Sequence, residues 1–217
     1  MRHSEDQVAF RFHVDEVREA AGEHYNIAPT QQVDVVTQSG GVRRLETYKW
    51  GLIPSWAEDP KIGSRMLNAR AETLTEKPSF RIPLAKRRCL IPADGFYEWK
   101  REGRAKQPFY FHRKDDALFA FAGLWEEWHG PQGPVRSVTV ITTTANEVTA
   151  PVHDRMPVIV QPESEAFWLD MSVPVSEDLL SVLQPYPAEW MEAYPVSPMV
   201  NSAAVDDAEC IVPVHPI

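Results

Sequence analysis

Cysteine is nearly missing from this chain. Two thiols, Cys89 and Cys210, stand in 217 residues, too few for a disulfide scaffold or a cysteine-rich zinc site. Both sit in apolar runs, CLIP and ECIVPV, where a buried and unreactive thiol is expected. The histidines are scattered without the spacing of metal ligands, so neither a metal centre nor a cofactor is expected. No glycine-rich turn leads from a strand into a helix as nucleotide-binding folds require. No apolar run approaches the roughly eighteen residues of a membrane-spanning helix. The opening MRHSEDQ lacks the apolar core of a secretory signal, which makes the cytoplasm the expected location, with no membrane partner.

Positive charge is also short. Against 31 Asp and Glu there are 22 Lys and Arg, a formal net charge of −9. The mean conceals the distribution. Residues 61–106 hold 12 of the basic residues and only 5 of the acidic ones, a local balance of +7, while the remainder stands at −16. From Asp115 onward only Arg136 and Arg155 are basic. Such segregation either lays a basic groove on an acidic body or forms an ordinary solvated face. An anionic partner is permitted by this pattern, not required.

Core material is present in ordinary measure, with 43% hydrophobic and 24% charged residues, the composition of one globular domain spanning residues 1–217. The 19 prolines are spread throughout, which disfavours long helices and suits short strands. Glu5 to Ala21 reads as an amphipathic helix with Val8, Phe10, Val14 and Val17 on its apolar face. Residues 32–38 and 42–50, separated by Ser39-Gly40-Gly41, read as a hairpin. Short aromatic or β-branched runs at 88–91, 95–101, 108–113, 117–126 and 136–144 are read as strands, divided by polar turns such as Glu102-Gly103-Arg104. A further strand is expected from Met156 to Gln161, with helices starting near Pro162 and at Ser176. The expected fold is α+β, with an antiparallel, barrel-like β core and peripheral helices.

Three stretches have the residues for chemistry. In Asp94-Gly95-Phe96-Tyr97-Glu98-Trp99-Lys100, strand alternation puts Glu98 on the face of Phe96, opposite Tyr97 and Trp99. A carboxylate desolvated among aromatics is suited to proton transfer; an exposed glutamate pairing with Lys100 or Arg101 is the plainer reading. His153, in VHDRMP at the entrance to an apolar strand, suits a general acid or base, or else ties down a loop. Asn68 and Arg70, in LNARAET, offer an amide and a phosphate-binding guanidinium, although Asn68 is equally a candidate helix cap. Trp50 and Trp56, in WGLIPSW, stack on unpaired bases if exposed and belong to the core if buried.

Taken in order, these strings resemble the SOS response-associated peptidase family. The matching segments are YNIAPTQ (25–31), WGLIPSW (50–56), LNARAET (67–73), RRCLIPADGFYEWK (87–100), TTTAN (142–146), VHDRMPV (152–158) and VNS (200–202). The resemblance implies a compact α/β fold with a barrel-like core that recognises abasic sites in single-stranded DNA. It further implies that the aldehyde of the opened sugar condenses with an N-terminal cysteine, first as an imine and then as a thiazolidine. By the same resemblance Asn68 positions the reacting end, Glu98 shuttles protons, and His153 assists ring opening and reversal. Arg70 contacts phosphate, Arg155 also contacts DNA, and Asn26, Pro29, Trp50 and Trp56 shape the groove. The expected partner is abasic single-stranded DNA, bound by a monomer.

The family begins Met-Cys-Gly-Arg, whereas this chain reads Met1-Arg2-His3-Ser4 and has no cysteine before Cys89. Three expectations follow, in order of preference. The chain starts at an internal methionine; or it binds abasic DNA without a stable link; or the Met1 amine forms an imine and drives β-elimination. A binding module without covalent chemistry, and a peptidase with no evident nucleophile besides that cysteine, are the competing classes.

Overall fold

The computed structural model of the protein describes residues 2–103 and 105–215. Helix α1 (Glu5–Arg11) begins at a capping box, in which Ser4 accepts from the Gln7 N–H and the Gln7 side chain accepts from the Ser4 N–H. It buries Val8 but ends ten residues short of the expected Ala21. Phe12 packs into the core and His13 turns left-handed, at φ 52°, a conformation that histidine tolerates better than most side chains. The chain then straightens into β1 (Glu16–Val17), so Phe10 and Val17 are exposed rather than apolar-face residues.

The expected hairpin forms from β2 (Gln32–Ser39) and β3 (Val42–Trp50). Gly40 and Gly41 both take positive φ, 60° and 79°, as a two-residue type I′ turn demands. Next come β4 (Asn68–Arg70), α2 (Pro78–Lys86), β5 (Arg88–Ala93), β6 (Phe96–Glu102) and β7 (Ala105–Arg113). The long strands β8 (Phe119–Gly130) and β9 (Gly133–Thr144) follow. The chain ends through β10 (Arg155–Pro157), β11 (Ile159–Val160), α3 (Glu165–Leu169), α4 (Glu177–Leu180) and β12 (Met191–Pro195).

Strands β3, β2, β5, β8 and β9 close into a five-stranded barrel. Four of its five seams are antiparallel. The fifth, β9 on β3, is parallel and pairs Lys49 with Ser137 and Trp50 with Val138. The α+β fold with a barrel-like core is therefore as the sequence pattern indicated, with one parallel seam that alternation alone does not reveal. A second sheet, in the order β12-β7-β6, packs against the barrel. Alternating side chains divide the core. On β5, Leu90 joins α1, α2 and α3 residues such as Val8, Leu84 and Trp168, whereas Cys89 and Ile91 join Phe96 and Phe111 of the second sheet.

The single strand expected at 156–161 is broken. Met156 pairs with β9 and Ile159 with β8, because Val158 spans the two, donating to Ile141 O and accepting from Ala122 N. The helix near Pro162 opens with a 3-10 turn before α3, and Ser176 caps α4 through the Leu179 N–H. Among the described residues, no helix is long and apolar enough to cross a membrane.

Candidate active site

A cavity of about 770 Å³ lies between β4, β6, the turn before β10 and the segments around residues 21–29 and 200–203. Each wall is set by local chemistry. Gly51, at φ 124°, allows the backbone at 51 to meet that at 63; a Cβ at Gly51 would stand 2.6 Å from the Gly63 carbonyl oxygen. The Leu52 N–H donates to Met66 O at 3.1 Å, and the Trp50 indole donates to Leu67 O at 3.0 Å. These contacts lay β4 parallel to β9, with Asn68 opposite Val140. Ala69 is buried, so Asn68 and Arg70 share the outward face. Asn68 opens a strand and caps no helix, which removes the cap reading. Among the described residues neither its amide nor the Arg70 guanidinium makes a hydrogen bond or ion pair.

Glu98 projects from β6 and is half-buried at the cavity. Burial raises its pKa above the ordinary carboxyl value; the facing His153 and the Trp99 N–H pull it down, Asp154 pushes it up, and the net direction is up. A proton is therefore retained at a higher pH than on an ordinary glutamate.

His153 is exposed on a turn held by Asn146, whose Oδ1 accepts from the Val148 and Thr149 N–H groups. The Thr149 carbonyl in turn accepts from the His153 N–H at 3.0 Å. Both protonation states of the imidazole have a partner. When neutral, Nδ1 accepts from the Arg155 N–H at 3.1 Å, which leaves the proton on Nε2; when charged, Nδ1 can donate to Arg155 O at 3.2 Å or Asp154 Oδ1 at 3.3 Å.

The remaining expected residues separate into different roles. Arg155 lines the cavity, but its guanidinium is bidentate on Glu72, at 2.8 and 3.0 Å, and reaches Thr142 O at 2.6 Å. It ties the His153 turn to the turn after β4 and holds the Glu72 carboxyl below its ordinary pKa. Asn26 also lines the cavity, yet its amide is spent on the carbonyls of Val200, Ser202 and Val205. Pro29 and Trp50 contribute to the wall, whereas Trp56 is 61% exposed and stands outside the lining.

The basic segment is likewise divided. Arg88 is fully buried, donating to the carbonyls of Leu84, Trp168, Asp170 and Val173 at the ends of α2 and α3, where helix dipoles are negative. It belongs to the core and not to a groove.

Among the lining residues not singled out from sequence are Arg2 and Asp94, whose carboxylate accepts from the Arg2 N–H at 2.6 Å. No sequence signal links positions so far apart. The amine of Met1 lies outside the described residues. Both thiols are buried and outside the cavity lining, and burial pushes that of Cys89 far up.

The family profile described as "SOS response associated peptidase (SRAP)" matches residues 1–203. The chain belongs to this family. The abasic site processing protein YoqW of Bacillus subtilis (strain 168) is 48% identical over 210 residues, covering 95% of this chain and 94% of that protein. Abasic site processing protein YoaM of the same organism is 50% identical over 189 residues, covering 86% and 83%. Among solved structures, a protein from Bacteroides thetaiotaomicron superposes with a TM-score of 0.88 at 30% identity, covering 99% of this chain and 98% of that one. The motifs that carry the resemblance, 67–73, 87–100 and 152–158, contribute Asn68, Glu98 and His153 to one cavity.

Proposed function

We propose that this chain processes abasic sites in single-stranded DNA, at the cavity shared by Asn68, Glu98 and His153. The observation that carries the reading is the convergence of these three with an unpaired Arg70, in a chain whose relatives are named abasic site processing proteins. Phosphate on Arg70 would seat the strand, and the Trp50 ring edges the groove beside it.

The chemistry proposed is imine formation by the protein's N-terminal amine, as the resemblance to the family implies. In its charged form His153 gives its Nε2 proton to the sugar ring oxygen as the C1′–O4′ bond breaks, and the C1′ hydroxyl releases its proton to water, which leaves the C1′ aldehyde. The amine nitrogen bonds to C1′, and the resulting carbinolamine loses its hydroxyl as water after taking the proton of Glu98. The Glu98 carboxylate so formed then accepts the C2′ proton, the electrons of that C–H bond form a double bond, and the C3′–O bond breaks with phosphate leaving as the anion. Asn68 holds the sugar hydroxyl through its amide.

The test is a denaturing gel of the protein with an abasic single-stranded oligonucleotide, with and without borohydride. A band that requires borohydride supports the imine; a band that survives without it requires a thiol or another stable adduct. No band in either lane, with salt-sensitive binding retained, would favour the second reading, a non-covalent single-strand binding module. That reading draws on the burial of both thiols.

A further inference from the structure

Glu72 belongs to the string that supplies Asn68 and Arg70, yet the mechanism above leaves it without a part, and it is not among the residues lining the cavity. It stands in the 3-10 turn Ala71–Thr73 that follows β4, just ahead of the buried Leu74. Its half-exposed carboxylate accepts from Arg155 Nη1 and Nη2 at 2.8 and 3.0 Å. The pair spans a strand. Thr142 of β9 is registered with Arg70 of β4 and with Pro157 of β10 at once, which places those two short strands on opposite edges of β9. From β10 the Arg155 side chain crosses to Glu72, and its Nη2 meets Thr142 O at 2.6 Å and Thr142 Oγ1 at 3.3 Å. Arg155 Nε is buried and has no partner, so the guanidinium is held by its two terminal nitrogens alone.

The main chain of the same arginine serves His153. The Arg155 N–H donates to His153 Nδ1 at 3.1 Å, and the Arg155 carbonyl oxygen lies 3.2 Å from that nitrogen. A displacement of residue 155 therefore turns the imidazole that faces Glu98. Other contacts hold the turn itself, through Asn146 and the Thr149 carbonyl, so the bridge to Glu72 sets an angle and not the existence of the turn.

Charge gives the second argument. The Arg155 hydrogen bond chiefly, and the Arg70 charge in smaller part, hold the Glu72 carboxyl below its ordinary value. An anion is thus kept beside the guanidinium assigned to phosphate. It opposes a bound strand, and it occupies the Arg155 cation that would otherwise attract one. For affinity alone a neutral side chain would serve better there. What the carboxylate supplies is placement.

We propose that Glu72 is a positioning residue, which acts through Arg155 to fix the face that His153 turns toward the cavity, and which withholds the Arg155 guanidinium from the DNA backbone. The consequence for rate rests on the role proposed for His153; the bridge does not.

The experiment uses the full chain and compares wild type with Glu72→Gln, Arg155→Gln and the double variant. Binding isotherms on an abasic single-stranded oligonucleotide at several salt concentrations read affinity. Single-turnover borohydride trapping at saturating DNA reads the rate, and 15N NMR of the neutral His153 ring reads its tautomer. Glu72→Gln should bind about threefold or more tighter at low salt, with a salt dependence steeper by about one phosphate contact. Its maximal trapping rate should fall about tenfold or more, and the single tautomer protonated at Nε2 should give way to a mixture. Arg155→Gln should lose rate by the same factor and bind more weakly, and the double variant should be no slower than either single one. A merely structural contact would not give tighter binding together with a slower reaction. Tighter binding with an unchanged rate and tautomer overturns the positioning role. A slower rate without tighter binding overturns the restraint on Arg155, and rate losses that multiply in the double variant overturn the coupling. If wild type traps no DNA, the imine reading fails, and the tautomer and the isotherms decide this proposal by themselves. Should Arg155→Gln not fold, the opposed changes in Glu72→Gln, at a half-exposed position, decide it.

Discussion

The two sides of the cavity differ in what their polar groups have left to give. On one side, segment 24–26 is latched to segment 200–206. Asn26 donates to three carbonyls, Asp206 accepts the Tyr25 and Asn26 N–H groups and pairs with His24 at 2.6 Å, and Trp99 donates to Asn201. On the other side, Asn68 and Arg70 hold no such partners, and His153 is served by main chain and its own neighbour Asp154. Each wall contains an asparagine from an uncommon string. One builds the cavity and the other faces into it, and the distinction is made by groups over 170 residues away in the first case.

The largest effect that would sharpen this comparison is on chemistry. Replacing Glu98 with Ala should lower the trapping rate by about 100-fold or more while leaving the thermal midpoint nearly unmoved; equal rates would break the assignment of this wall as reactive. Next in size is Asn26→Ala. It strands up to three carbonyls and should cost about 2–4 kcal/mol, visible as a lowered denaturant midpoint and earlier proteolysis near residue 200. Asn68→Ala should change stability by no more than ~0.5 kcal/mol, and similar losses from both asparagines would erase the contrast.

A smaller effect is expected at Arg70. Its replacement by Ala should weaken DNA binding and reduce the salt dependence by about one phosphate contact, read from binding isotherms at several salt concentrations. The smallest effect is pH-linked. Because folding raises the Glu98 pKa, the native state keeps a proton that the unfolded chain releases, so Glu98 makes stability fall as pH rises above its ordinary value of 4.5. Glu98→Gln should flatten that decline between 4.5 and the raised value, measured by denaturant unfolding across that range. An unchanged slope would mean that the carboxyl is solvated.

Much of the fold was legible because strands of period two are local signals. The Gly40-Gly41 turn, the long pair β8–β9 and the Ser176 cap all follow from neighbours in sequence. What was not legible depends on distant partners. The opening helix stops early because residues 16–17 find β3, a pairing no helical periodicity reports. Arg88 looked like part of a basic surface, and only the ends of α2 and α3 reveal it as core. For the candidate site, the strings containing Asn68, Glu98 and His153 were visible, and the desolvation of Glu98 followed from its aromatic neighbours. That Arg155 is committed to Glu72, and that Asp94 holds residue 2, are tertiary facts with no local trace.

Strand β9 pairs with β3, β4, β8 and β10, and this has a consequence for the chain during its synthesis. On the ribosome, β2 and β3 emerge first and can zip into a hairpin, but β3 has no barrel neighbour on its other side until Ser137 and Val138 are made. At typical rates of elongation that wait lasts roughly 4–18 s. For that interval the part of the β3 edge beyond its short pairing with β1 is open to solvent, the kind of surface that recruits a chaperone or another hairpin. When β9 arrives it completes the barrel and provides the strand on which Asn68 and Arg155 are registered. The wall that carries Asn68 and His153 is therefore among the last parts of the molecule to exist, and a chain stalled before residue 137 has the hairpin without it.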